Sequence, residues 1–274
     1  MYFWETLMIA PTFSFVSQIT RGTRNFQLLL LVGMAVLAYV SYYLARHGKV
    51  WSIRPLEGLE AIREGIGRSA EMGRPILVLP GISDLSNAQT IAGLTVFSEI
   101  TRRAAEIGVT TDCIATGTDV VAASEALARD AYDALGKPEL YTPGKYVKWY
   151  GGDQFVYAVG AAGHMLLSKP AMTVFMGYFL ADVIVTGETG SRVGAVQIGG
   201  TTDQSATPLM GMMCDYMLFG EEMYAASASI TGDKWSMATL AGEDWVKIVL
   251  LALMVVGVFA WAFGSKHIWD IMGW

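Results

Sequence analysis

Charge is what this sequence has least of. Of its 274 residues, 16% are charged, against about 25% in an average soluble domain. The acidic side chains lead, leaving a net charge of −6. No basic tract and no aromatic-interleaved basic patch appears, which excludes nucleic acid as a partner. Cysteine is nearly missing. Cys113 and Cys214 form no disulfide framework, and each lies in an apolar stretch and reads as a small core residue. The three histidines, His47, His164 and His267, lie far apart, and none has zinc spacing to a cysteine. Several motifs are missing too. Without G-x-x-x-x-G-K-[ST] there is no P-loop chemistry. The first strand-to-helix turn lacks G-x-G-x-x-G, which weakens a dinucleotide reading. No G-x-S-x-G elbow presents a serine nucleophile.

The charge deficit is local. Phe26 to Leu44 carries no charge. As a helix it would reach about 28 Å, close to the ~30 Å hydrocarbon core of a bilayer. A second uncharged run covers Ile248 to Phe263, with Trp245, Trp261 and Trp269 around it and Lys247 placed to snorkel. A pair of buried core helices is the alternative. The runs predict two membrane anchors, with the lipid bilayer as partner and the cell membrane as location. Arg46, Lys49, Arg54 and Lys247 on the domain side outnumber Arg21, Arg24 and Lys266 by one, which points the domain to the cytoplasm. The expected division is an aromatic interfacial segment 1–25, a transmembrane helix 26–45, an amphipathic linker helix 46–74, an α/β domain 75–232, a linker 233–245, a second transmembrane helix 246–264 and an aromatic tail 265–274.

Within the linker, Leu56, Leu59, Ile62 and Ile66 recur at helical spacing after Pro55. From Pro75 the pattern changes to short apolar runs separated by helical stretches. Strands are predicted at 76–80, 112–117, 147–151, 172–177, 193–200 and 216–220. Helices are predicted at 87–107, 119–135, 154–167, 179–188, 204–213 and 221–229. Such alternation means a mostly parallel sheet sandwiched by helices, a Rossmann-like α/β fold. Strand order is left open.

Four strand ends repeat one theme: glycine, often a hydroxyl, then aspartate, then a helix. They bring Gly81, Ser83 and Asp84 after the first strand and Gly117, Thr118 and Asp119 after the second. Gly151, Gly152 and Asp153 follow the third, and Gly199, Gly200, Thr201, Thr202, Asp203 and Ser205 the fifth. In a parallel sheet these turns share the edge where ligands of doubly wound proteins bind. Two readings stand side by side. The residues could be helix caps and tight turns. They could also line a ligand site, with Asp84, Asp119, Asp153 and Asp203 holding a divalent metal through oxygen. In that case GGTTDQS would cradle an anion on its amides and hydroxyls. The sequence requires no cofactor, though a divalent metal or a nucleotide would suit the edge. His164 reads as a surface or satisfied core histidine before a general base. Glu188 reads as a solvated helix-end charge before a catalytic acid. Met210, Met212, Met213 and Met217 read as core or as an oligomer contact.

Residues 196–228, VQIGGTTDQSATPLMGMMCDYMLFGEEMYAASA, resemble an uncharacterised family of prokaryotic membrane proteins defined only as a domain of unknown function. AEMGRPILVLPG and NAQTIAGLTVFSEITRRAAEIGV resemble its earlier segments, so the likeness covers about 57–232. It implies a membrane-anchored α/β architecture and adds nothing about activity, since the family has none assigned.

Two functions follow as expectations. One is a membrane-anchored binding or scaffold module that forms a homo-oligomer or docks onto other membrane subunits. The other is a membrane-bound enzyme or sensor that binds a nucleotide or phosphate ligand, with or without Mg²⁺, at the strand-end edge. Whether the chain is an enzyme stays open.

Overall fold

A computed structural model describes residues 24–47, 56–232 and 234–262. The chain divides into two compact units: residues 52–233, and the terminal parts 1–51 with 234–274.

In the larger unit each strand is a short, buried, apolar run. They are β1 (Ile76–Gly81), β2 (Thr111–Ala115), β3 (Val147–Trp149), β4 (Met172–Tyr178), β5 (Val196–Thr201) and β6 (Tyr216–Phe219). All pair in parallel, in the order β3-β2-β1-β4-β5-β6. Residues alternate across this sheet. Leu77, Leu79, Ile114 and Phe175 pack against α5 (Gln154–Ser168), α6 (Asp182–Val193) and α7 (Ala206–Met213). The opposite face receives α2 (Glu57–Met72), α3 (Ala88–Glu106), α4 (Thr118–Ala134) and α8 (Glu222–Thr231). There α3 buries Val96, Phe97 and Ile100. Thus the six-stranded parallel α/β sheet is present, with helices on both faces.

Helix α2 buries Leu59, Ile62 and Ile66 and ends at Gly73, whose left-handed φ of 62° closes it. This helix belongs to the α/β unit, with Gly65 and Gly58 lying flush against Met172 and Leu218 of the sheet.

The second unit contains α1 (Arg24–Arg46) and α9 (Lys234–Ala262), packed on each other. Both were expected to span a membrane, and this is corrected: among the described residues no helix is long and apolar enough to cross one. In α1 the apolar residues are interrupted by Tyr39, Ser41, Tyr42 and Tyr43. In α9, Glu243, Asp244 and Lys247 divide the helix. Its uncharged remainder, Ile248 to Ala262, would reach only about 22 Å as a helix. The linker expected at 233–245 is helical from Lys234 onward. Most of the aromatic segment 1–25 and the tail 265–274 lie outside the described residues.

Candidate functional site at the strand-end edge

Strand order reverses between β1 and β4, so the turns after these two strands flank the switch point where doubly wound proteins bind ligands. Here the two turns are drawn together. The Ile82 amide donates to the Tyr178 carbonyl at 2.9 Å. Gly81 has φ +90°, and a Cβ there would lie 2.2 Å from the same carbonyl oxygen, so only glycine fits.

The aspartates are occupied locally. Asp84 Oδ1 accepts from the Ser86 amide at 3.0 Å and the Ser86 hydroxyl at 2.5 Å. Asp119 accepts from the Leu85 amide at 3.0 Å, stitching the turn after β2 to the turn after β1. That amide holds the Asp119 carboxyl below the usual range. Asp153 caps α5, accepting from the amides of Phe155 (2.9 Å) and Val156 (3.3 Å). Asp203 accepts from the Ser205 hydroxyl and from the amides of Ser205 (2.7 Å) and Ala206 (3.2 Å). The Ser205 hydroxyl is the main cause holding Asp203 low. Each carboxylate therefore serves its own turn or the adjoining one. Among the described residues no group of three or more His, Cys, Asp or Glu side chains could hold a metal ion.

The proposed anion cradle is also partnered. The Thr201 hydroxyl and the Thr202 amide both donate to Gln89 Oε1, at 3.0 and 2.9 Å. The Asp203 amide donates to Thr201 Oγ1 at 3.2 Å. Gly199 and Gly200 make room for protein: a Cβ would strike Met217 and Cys214 at the first and Met176 at the second. Gly117 precedes α4, where Thr118 is the first helical residue. Ser83 is half-buried in its turn, and Gly152 is exposed with open space beside it.

The turn after β4 carries a residue that motif reading passed over. Asp182 is fully buried. Its Oδ1 accepts from the Leu180 amide at 2.8 Å and from Gln154 Nε2 at 3.0 Å, while Oδ2 has no hydrogen-bond partner. Tyr157, one helical turn beyond Gln154, is also buried with an unpartnered hydroxyl. Burial pushes the Asp182 carboxyl up. It also pushes the Tyr157 phenol well up, with the charge of Asp182 adding to the effect. In sequence Asp182 looks like an ordinary first-turn acid. Its partner Gln154 lies 28 residues earlier, beyond the reach of any local pattern.

Elsewhere, His164 Nε2 lies 2.8 Å from Asp112 Oδ2, and its Nδ1 lies 3.3 Å from the Tyr150 hydroxyl. Asp112 stands near the start of β2, so this group is remote from the strand-end edge and ties β2, α5 and the segment after β3 together. Glu188 is exposed and paired with Arg192 at 3.0 Å. Burial pushes both cysteine thiols up to about 12, which leaves them protonated and unreactive at neutral pH.

Strand order and edge together define a doubly wound parallel α/β protein whose strand-end turns are capped from within. The chain belongs to a family described as a domain of unknown function, DUF6754, whose model matches residues 16–272. That span is wider than the resemblance at 57–232 and takes in both α1 and α9. No curated protein and no solved structure matches the chain.

Proposed function

We propose that this chain is an assembly module, acting through protein surfaces rather than through chemistry at the sheet edge. The observation that carries this is the outward side of the α1–α9 pair. Leu31, Leu251, Met254 and Val258 are each more than three-fifths exposed, within long rows of other exposed apolar residues. Contiguous apolar surface of this extent marks an interaction site on a folded protein. The edge supports the same reading from the other side. Its aspartates and its threonine donors already have partners within the chain, so a ligand would have to displace them. Replacing Leu251 and Val258 together with glutamate should lower the particle mass of the full chain in light scattering. Melting of the α/β unit should stay unchanged. An unchanged mass would count against the proposal.

Asp182 favours a second reading, a small ligand taken at the switch point. An unpartnered carboxylate oxygen costs free energy that a donor on a ligand would recover. Next to that carboxyl a bare phosphate is disfavoured, and a cationic or hydroxyl-bearing group is preferred. The test is a thermal-shift series of the full chain with nucleosides, nucleotides and Mg²⁺, inorganic phosphate serving as the control expected to give no shift, because a ligand that binds only the folded state raises its melting temperature. A shift that disappears in Asp182→Asn would support this reading, and no shift would dismiss it.

A further inference from the structure

Helix α5 is the longer of the two described outer helices of the sandwich that carry no aspartate, glutamate, lysine or arginine, the eight-residue α7 being the other. Its 15 residues are QFVYAVGAAGHMLLS. The inner side is conventional, with Tyr157, Ala158, Ala161 and Met165 buried against the sheet. The outer side should be polar in a helix that faces water. Instead it presents Phe155 (61% exposed), Val156, Val159 (65%), Leu166 and Leu167 (87%). Ile184 and Val185 of the neighbouring α6 extend the same surface. The Glu188–Arg192 ion pair of α6 supplies polar character further along that helix.

We propose that this face is where two copies of the chain pair, α5 against α5 in antiparallel orientation across a two-fold axis. The proposal rests on the assembly reading above and names one partner and one surface for it. Three observations select a second copy as the occupant. The first is the arrangement along the helix. In an antiparallel pair centred at the level of Ala161, Phe155 stands level with Leu167 and Val156 with Leu166 on the two flanks, and Val159 meets Gly163 near the centre line. The last match puts a branched side chain over open space, since nothing lies within 4 Å of where a Gly163 Cβ would be. A face that complements itself in this way is what an isologous two-fold contact requires. The second is charge. The chain carries −6 overall, yet this helix carries none, so two identical faces meet without like-charge repulsion. The third is area. From their exposed fractions, the outward apolar side chains of α5 and α6 with Tyr150 expose at most on the order of 800 Å² per copy, an upper limit that reaches the roughly 800 Å² per partner of a stable pair.

Two experiments on the full chain test the pairing. Phe155→Cys and Leu167→Cys, each in a Cys214→Ser background and carrying different tags, are mixed and treated with a short bifunctional maleimide, since the two positions lie level on opposite flanks of the face and about 8 Å apart. A crosslink between unlike tags is expected. Like-tag products are not, because two copies of position 155 would stand about 18 Å apart at 1.5 Å per residue. Like-tag products, or no product, would overturn the antiparallel register. Separately, Val159→Glu places like charges close to the axis and should weaken self-association on the order of 100-fold. At concentrations where both proteins are monomeric the urea midpoint should be unchanged, because Val159 is largely exposed. If this variant fails to fold, Leu167→Glu at the exposed helix end is the substitute. A chain that self-associates with undiminished affinity in these variants would sink this surface while leaving the assembly reading standing. A wild-type chain that is monomeric throughout would sink both.

Discussion

Asp153 shows how much a single carboxylate does at this edge. It accepts two amides at the start of α5, groups that otherwise have no intrahelical partner. Asp153→Ala should cost about 1 kcal/mol, read as a lower urea midpoint with an unchanged slope. A ligand-site role would instead show little loss of stability together with loss of binding. Asp182 is the opposite case. Burial raises its carboxyl, so the folded state keeps the proton after the unfolded chain has released it. Between the ordinary carboxylate value and the raised one the native state binds more protons. Stability from this group therefore falls as pH rises through that window. Asp182→Asn should flatten that part of the pH–stability curve while keeping the acceptor for Leu180 and Gln154. Parallel curves for the two proteins would contradict the assignment. For Asp119 and Asp203, whose carboxyls are held low, the sign reverses. Their contribution is present above the unfolded value and is lost as pH falls through their folded values.

At the scale of elements, the close approach of α3 to the sheet makes the sharpest test. A Cβ on Gly93 would stand 1.9 Å from the Met176 carbonyl oxygen, a backbone atom that cannot swing aside. Gly93→Ala should destabilise by about 3 kcal/mol through overpacking. Gly67, on an outer position of α2, has nothing within 4 Å of its Cβ site. Gly67→Ala should stabilise by about 1 kcal/mol through helix propensity. Equal effects in chemical denaturation would refute this packing. Most elements were legible because each strand is a short apolar run between glycine-rich turns. The misplaced ones have physical causes. Phe179 and Leu180 look helical but belong to the turn after β4, so α6 begins at Asp182 and runs on to Val193. There Gly194 closes it with φ 72° and pushes the start of β5 from 193 to 196. The contacts of Asp84, Asp153 and Asp203 could be read locally, because each bonds within its own turn. Strand order, the Asp119–Leu85 bond and the Asp182–Gln154 contact could not, because all three depend on pairings distant in sequence.

For the whole molecule, the uncharged runs were legible as exceptional, and their meaning was not. Apolar periodicity says that a helix face must be covered, and it does not name the cover. Two structured helices now stand where membrane spans were expected, and none among the described residues is long and apolar enough to cross a bilayer. Their apolar outer rows, with the uncharged face of α5, make association the central claim. Sedimentation equilibrium of the purified full-length chain over a range of concentrations tests it most directly. Association predicts a mass of at least two chains of 29.7 kDa, dissociating on dilution. A single-chain mass at every concentration, with nothing copurifying, would contradict it.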